Sequence, residues 1–164
     1  MRLPIFILVV LAAVIVSQVV HFYPYLPDLV VSHWGPGGRP DGWLSKSNFF
    51  LAMVVSELGI TGILIALTLG LPRIISKRWW NLPQKDYWLA PERRSDTVRF
   101  VRAQMLWLTV IIEAGMVILW QSTINANVKP ELHWPANFWW GLLVTTLIVL
   151  VWIVRFTRHF NSRT

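Results

Sequence analysis

Two carboxylic acids stand inside long apolar runs, where charge is costly. Glu57 lies in the run 49–71 and Glu113 in the run 101–124, at similar depth on antiparallel segments. An ionised carboxylate near mid-membrane costs ~2.5 kcal/mol or more, so each acid should face other helices, pair, or stay protonated. The pattern predicts either a proton- or cation-sensitive pair that titrates as a unit or two neutral carboxyls that fix helix register. For the second case, the expected hydrogen-bond partners are Thr61, Thr109, Gln18 and backbone carbonyls.

Histidines are the other side chains that could bind a ligand. Three imidazoles on one face, with Asp28 or Glu131, could coordinate a transition metal. No i,i+4 or short-loop spacing joins them, so surface or hydrogen-bonding roles are expected, and no metal or other cofactor is predicted. The absence of cysteine also removes thiolate sites and disulfides. The weak metal candidates are His21, His33 and His133.

The most unusual composition lies in residues 23–46, YPYLPDLVVSHWGPGGRPDGWLSK. This stretch holds four of the ten prolines and four of the nine glycines. Pro36-Gly37 and Asp41-Gly42 are turn signals, and residues 29–34 could form a short strand or extended segment. We predict an ordered loop folded over the mouth of a helical bundle, with a plain solvated connector as the alternative.

Four apolar runs must position these groups. They cover about residues 3–22, 49–71, 101–124 and 138–154, and each can span a hydrocarbon core of ~30 Å, the last one only just. Bulky aromatic residues follow the first run and disfavour signal-peptide cleavage, so it is expected to remain a helix. With 55% hydrophobic and 14% charged residues, the chain lacks a normal water-facing surface. We predict an all-α integral membrane protein, a four-transmembrane-helix bundle that forms one membrane domain over residues 1–164.

The basic residues set the predicted orientation. With both termini inside, the inner side carries 12 of the 15 lysines and arginines, and only Arg39, Lys46 and Lys129 lie outside. This N-in/C-in arrangement places the motif loop 23–47 outside and an amphipathic loop, 72–98, along the cytoplasmic headgroups. The basic residues lie beside apolar runs and form no aromatic-interleaved stripe, so we predict contact with the lipid bilayer and none with nucleic acid.

Small residues recur at four-residue spacing on two of the runs. Gly62, Ala66 and Gly70 form one such stripe on the second run, and Gly141 with Thr145 repeats the spacing on the fourth. Such stripes let helix backbones approach closely in membranes. The second run is therefore predicted to be the central helix.

A family resemblance rests on two motifs. LPDLVVSHWGPGGRPDGWLSK, residues 26–46, resembles the signature of the membrane family named domain of unknown function 1648, in which a Leu-Pro-led segment reaches a His and then a G-x-P-D-G-W-x-S-K run. NLPQKDYWLAPERRSDT, residues 81–97, resembles the cytoplasmic loop of such proteins. The same domain occurs in SdpI-type immunity proteins. The resemblance marks six candidate binding positions in the outer motif, namely His33, Gly38, Pro40, Asp41, Gly42 and Lys46.

The resemblance implies a non-enzymatic protein of the bacterial cytoplasmic (inner) membrane. It would bind a peptide or protein partner at its outer loop, in an immunity or signalling role, or form a homo-oligomer. Two alternatives stay open: an accessory subunit of a larger membrane complex, and a proton- or ion-coupled protein that uses Glu57 and Glu113. No Ser-His-Asp, metal or nucleotide motif supports catalysis, so no enzymatic activity is predicted.

Overall fold

The computed structural model describes residues 1–128 and 136–161, and its architecture is a bundle of four long helices with a small hairpin at one end. In chain order the elements are α1 (Arg2–Phe22), β1 (Leu29–Trp34), β2 (Pro40–Ser45), α2 (Lys46–Ile74), the short helix α3 (Lys85–Trp88), α4 (Arg94–Val128) and α5 (Ala136–Asn161). Single 3₁₀ turns lie at Pro36–Gly38 and Lys77–Trp79.

The four long helices are long and apolar enough to cross a membrane. They coincide with the four predicted runs but extend past them, because hydropathy marks only the hydrocarbon-buried part of a helix. The difference is greatest for α4, which spans 35 residues. Large apolar side chains such as Val20 and Leu58 are 71% and 62% exposed on the bundle exterior, where lipid surrounds a multi-pass membrane protein.

The central helix is α4, which packs against α1, α2 and α5. The prediction that the second run is central is therefore wrong. A Cβ added at Gly62 or Gly70 of α2 would meet no atom within 4 Å among the described residues, so neither glycine is needed for a close helix contact there. The close approach is between α4 and α5, where a Cβ at Gly115 would lie 2.6 Å from Thr145 Cγ2.

The segment between α1 and α2 is an antiparallel hairpin. The prediction of an extended segment over Leu29–Trp34 is correct, and its pairing with β2 adds a two-stranded sheet to a fold that was predicted to be all-α. Gly37 and Gly38 form the tip with φ values of 81° and 73°, a left-handed conformation that glycine adopts without steric cost. The hairpin is thus a folded cap and not a plain connector.

The largest apolar cluster lies directly beneath this hairpin. Val30 and Met53 are fully buried there, together with Phe49 and Ile124 from α2 and α4. Burying side chains of this size supplies ~1.5–3 kcal/mol each. The cap and the helix ends therefore form one packed unit.

At the opposite end, the segment between α2 and α4 docks on α5. Trp88 of α3 donates from Nε1 to the carbonyl of Phe160 at 3.1 Å and stacks on the His159 ring at 5.4 Å. Thr97 Oγ1 donates to the Trp88 carbonyl at 2.7 Å. The predicted amphipathic loop 72–98 thus includes the end of α2, α3 and the start of α4.

Candidate functional site: the hairpin and the acid pair

One side-chain amide holds the hairpin on the bundle. Asn127, in the last turn of α4, accepts from the Val31 N–H at 2.7 Å and donates from Nδ2 to the Val31 carbonyl at 3.0 Å. Val31 is 2% exposed and Asn127 is 6% exposed, so both bonds form away from water. The amide completes the outer edge of β1 in the way that a third strand would.

The predicted motif residues His33 and Asp41 meet across the hairpin. His33 Nδ1 lies 2.5 Å from Asp41 Oδ1, and both side chains are largely exposed. Two glycines make room for this pair: a Cβ at Gly42 would lie 2.9 Å from His33 Cβ, and one at Gly35 would lie 2.5 Å from Asp41 Oδ2. An exposed ion pair adds little stability, so the pair is better placed to contact a ligand than to hold the fold.

Lys46, another motif residue, lies at the base of the hairpin, apart from His33 and Asp41. Its Nζ donates to the Leu26 carbonyl at 3.3 Å, lies 3.7 Å from Asp28 Oδ1, and is 5.0 Å from the centre of the Tyr23 ring. Its backbone N–H also donates to the Asp28 carbonyl at 2.9 Å. Lys46 thus ties the exit of α1 to the start of α2.

The other predicted motif positions build the hairpin itself. Gly38 belongs to the tip, Pro40 lies opposite Trp34, and Gly42 lies opposite His33. Of the six predicted positions, the structure therefore brings only His33 and Asp41 together as side chains that can meet a ligand.

The edge of β2 that faces away from β1 carries backbone groups that do not bond within the hairpin. In an antiparallel pair, residues alternate between pairs that exchange backbone hydrogen bonds and pairs that point these groups outward. Because Val31 directs its N–H and C=O to Asn127, the opposed pair Val31 and Trp43 is of the outward type. The backbone N–H and C=O of Trp43 therefore point away from β1, and the Trp43 side chain is 53% exposed.

The two intramembrane acids lie side by side in the bundle interior. Glu57 on α2 is 1% exposed and Glu113 on α4 is 2% exposed. Both Glu57 carboxyl oxygens, Glu113 Oε1 and Trp120 Nε1 are buried with no hydrogen-bond partner among the described residues. The bundle interior therefore holds two neighbouring carboxyls whose hydrogen bonding is incomplete.

Two of the expected neutral partners of these acids donate their hydrogen bonds elsewhere. Thr109 Oγ1 donates to the Met105 carbonyl at 3.0 Å, and Gln18 donates to Gln121 Oε1 at 3.0 Å. Gln121 in turn donates to Asn125 Oδ1 at 2.8 Å. Thr109 and Gln18 therefore donate no hydrogen bond to the carboxyls, and a separate chain of amides runs along α4 toward the hairpin.

His21 and His33 lie in different surroundings. His21 packs its ring against Phe22 at 4.7 Å and near Tyr25 at 5.7 Å, while His33 faces Asp41. Within residues 1–128 and 136–161, no group of three or more His, Cys, Asp or Glu side chains could hold a metal ion. The third candidate, His133, lies outside the described residues.

Sequence reasoning missed Asn127, Trp120 and Gly35. The third apolar run, 101–124, ends before Asn125 and Asn127, so the pattern does not predict that the helix continues to Val128. Those two asparagines were the available signal, since an amide inside a helix end needs a polar partner.

Together these features define a multi-pass membrane bundle with a two-stranded hairpin capping one end. Residues 7–56 match the family described as Domain of unknown function (DUF1648), and the matched segment consists of most of α1, the hairpin and the first part of α2. The match includes all six predicted motif positions and ends one residue before Glu57. Searches of curated proteins and of solved structures returned no match.

Proposed function

We propose that this protein binds an extended peptide segment, free or part of a protein partner, at the outer edge of β2. The observation that carries the proposal is the outward-pointing N–H and C=O of Trp43 on a two-stranded sheet. An edge strand of this kind can add a further strand through main-chain hydrogen bonds. The other edge of the sheet is occupied by Asn127, so addition is directed to β2.

Side chains near this edge would supply selectivity. Trp43 is an exposed aromatic anchor, a residue type enriched at binding hot spots. The His33–Asp41 pair lies beside the tip and offers both a donor and an acceptor to a polar peptide side chain. Such recognition fits an immunity or signalling role of the SdpI type on the outer side of a bacterial cytoplasmic membrane.

The test distinguishes the contribution of the Trp43 backbone to peptide binding from that of the Trp43 side chain. Full-length protein in lipid nanodiscs is screened with a display library of short linear peptides, and the dissociation constant of a selected peptide is measured. Trp43→Ala keeps the N–H, whereas Trp43→Pro removes it at a position that does not bond to β1. Trp43→Pro should weaken binding by up to about tenfold relative to Trp43→Ala, since the one main-chain bond donated by the N–H is lost.

Equal affinity of the Trp43→Pro and Trp43→Ala variants would refute strand addition. If no selected peptide binds more weakly when Trp43 or Asp41 is substituted, the hairpin is not the binding site. Hairpin integrity is checked in each variant by the slow amide exchange expected of Val31, which is buried against Asn127.

The acid pair favours a second candidate, a proton- or ion-coupled function. Two adjacent ionised carboxylates in a membrane interior are too costly, so the pair of Glu57 and Glu113 would hold at least one proton. Proteoliposomes containing a pH-sensitive dye should acidify faster than protein-free vesicles after an external acid step. Glu57→Gln combined with Glu113→Gln should abolish the difference, and an unchanged rate would exclude this candidate.

The open stripe on α2 favours the accessory-subunit alternative. Gly62 is exposed and unopposed, although small-residue stripes ordinarily serve helix packing in membranes. A partner helix, from another protein or a second copy, would use this face. Purification in a mild detergent should return a stoichiometric partner that Gly62→Leu releases, while retention of the partner by this variant would rule out the stripe as its contact.

A further inference from the structure

A cavity of about 300 Å³ opens between α2 and α4 at the end of the bundle opposite the hairpin. Its walls are Leu64, Leu67 and Pro72 from α2 and Val101, Met105 and Leu108 from α4. The segment 79–81 closes one side. This volume is within the lower range of small-molecule sites, and it is separate from the hairpin and the β2 edge.

Apart from Asn81, which is exposed at one side, the cavity walls are apolar. Two threonines line it, but each hydroxyl donates to its own helix: Thr68 Oγ1 to the Leu64 carbonyl at 2.7 Å and Thr109 Oγ1 to the Met105 carbonyl at 3.0 Å. Neither hydroxyl proton is left for a ligand. The walls therefore suit a hydrocarbon chain.

Trp80 adds one polar group to this lining. Its side chain lies in the cavity wall and is 8% exposed, and its Nε1 has no hydrogen-bond partner in the part of the chain that the structure describes. A buried indole N–H normally finds an acceptor. A ligand that enters the cavity with an oxygen acceptor next to its hydrocarbon chain would satisfy it.

The entrance of the cavity is positively charged. Trp79 in the lining is 67% exposed and carries the Arg78 guanidinium 5.2 Å from its ring centre. Lys85 Nζ donates to the Arg78 carbonyl at 3.3 Å. Asp86 pairs with Lys77 at 2.9 Å, and the hydrogen bond and charge of Lys77 lower the pKa of Asp86, so this pair is neutral overall. The charge of Lys85 also lowers the pKa of Asp86, so the three basic residues Lys77, Arg78 and Lys85 outnumber this one carboxylate and leave a net positive charge.

We propose that this cavity binds one acyl chain of an anionic glycerophospholipid from the adjoining leaflet. The chain lies between α2 and α4, the ester carbonyl accepts the Trp80 indole N–H, and the phosphate faces Arg78 and Lys85. Anionic lipids are the ligands that juxtamembrane basic clusters attract. Arg78 and Lys85, which take no part in the proposed binding at the hairpin, thus have a role in this site.

The test counts bound lipid on the full-length protein. Delipidated protein in detergent is titrated with phosphatidylglycerol or with phosphatidylcholine, and native mass spectrometry measures occupancy. One phosphatidylglycerol per chain should bind more tightly than phosphatidylcholine. Arg78→Gln with Lys85→Gln should weaken phosphatidylglycerol binding by roughly tenfold or more, while the control Arg2→Gln with Arg158→Gln, which removes the same charge at the same end, should not.

Two further variants locate the lipid within the cavity. Leu108→Trp fills the space and should abolish the tight site, whereas Leu143→Trp on the exposed face of α5 should leave it intact. Trp80→Phe keeps the ring and removes the donor, and should weaken binding about fivefold without altering the fold. Equal affinity for both lipids, or equal occupancy in Leu108→Trp and Leu143→Trp, would overturn the proposal.

Discussion

Asn127 on α4 and Val31 on β1 share two hydrogen bonds through a single side-chain amide, although 96 residues separate them in the chain. This contact joins the segment that matches DUF1648 to the helix at the centre of the bundle. It also decides which edge of the hairpin is left for a partner. The position of the cap and the direction of binding therefore depend on one amide.

Removing this amide should loosen the cap. Asn127→Ala leaves the buried N–H and C=O of Val31 unsatisfied, so the free energy of unfolding in detergent should fall by about 2–4 kcal/mol. Asn48→Ala, at an exposed position in the first turn of α2, is the control and should cost little. If Asn127→Ala lowers the free energy of unfolding no more than Asn48→Ala does, the hydrogen bonds between Asn127 and Val31 do not hold the cap.

The tight contact between α4 and α5 should show as coupling between two residues. Gly115→Ala places a methyl group 2.6 Å from Thr145 Cγ2, so it should destabilise the protein by about 1–3 kcal/mol. Thr145→Ala in the same chain removes the opposing methyl and should restore part of that loss. Gly62→Ala is the matched control, since its Cβ meets no atom of the described chain and should be neutral or slightly stabilising. Additive effects of the Gly115 and Thr145 substitutions would argue against the contact.

The hairpin glycines should resist substitution for steric reasons. Gly42→Ala brings a Cβ within 2.9 Å of His33 Cβ, and we expect a loss of about 1–3 kcal/mol in the free energy of unfolding. Gly59→Ala, in open space on α2, provides the comparison and should not destabilise. If both variants melt at the same temperature as the parent, the packing of His33 over Gly42 is not as described.

The acid pair should carry a detectable proton. If Glu57 and Glu113 share one, infrared spectra should contain a protonated-carboxyl band that the double Gln variant lacks. Each single Gln substitution mimics a neutral carboxyl, so it should change the unfolding free energy by less than about 1 kcal/mol, whereas Glu57→Ala leaves a cavity and should cost about 2–4 kcal/mol. Absence of the band in the parent protein would show that both acids are ionised or solvated.

Much of this architecture could be predicted from residue patterns. Four apolar runs predict four long helices, and the alternation of turn residues in residues 23–46 predicts an ordered loop with a strand at Leu29–Trp34. The side-by-side placement of Glu57 and Glu113 follows from their similar depth. These features depend on local sequence and on the length of a membrane span.

The contacts between elements were harder to predict from the sequence. Spacing of small residues indicated close packing for both α2 and α5. Among the described residues, Gly141 and Thr145 of α5 lie close to α4, whereas a Cβ at Gly62 or Gly70 of α2 would meet no atom within 4 Å. The polar end of α4 carries no local signal that the helix continues, because the hydrogen-bond partner of Asn127 lies in another element. Which of several equivalent surfaces meets which neighbour is set by tertiary packing, and a single sequence does not encode it in any local pattern.

The most direct test of the central claim is amide hydrogen exchange at Trp43, with and without a selected peptide. In the free protein the Trp43 amide should exchange fast and the Val31 amide slowly, because only Val31 is bonded to Asn127. Saturating peptide should slow exchange at Trp43 and leave Val31 unchanged. Tight peptide binding with no added protection at Trp43 would contradict strand addition at β2.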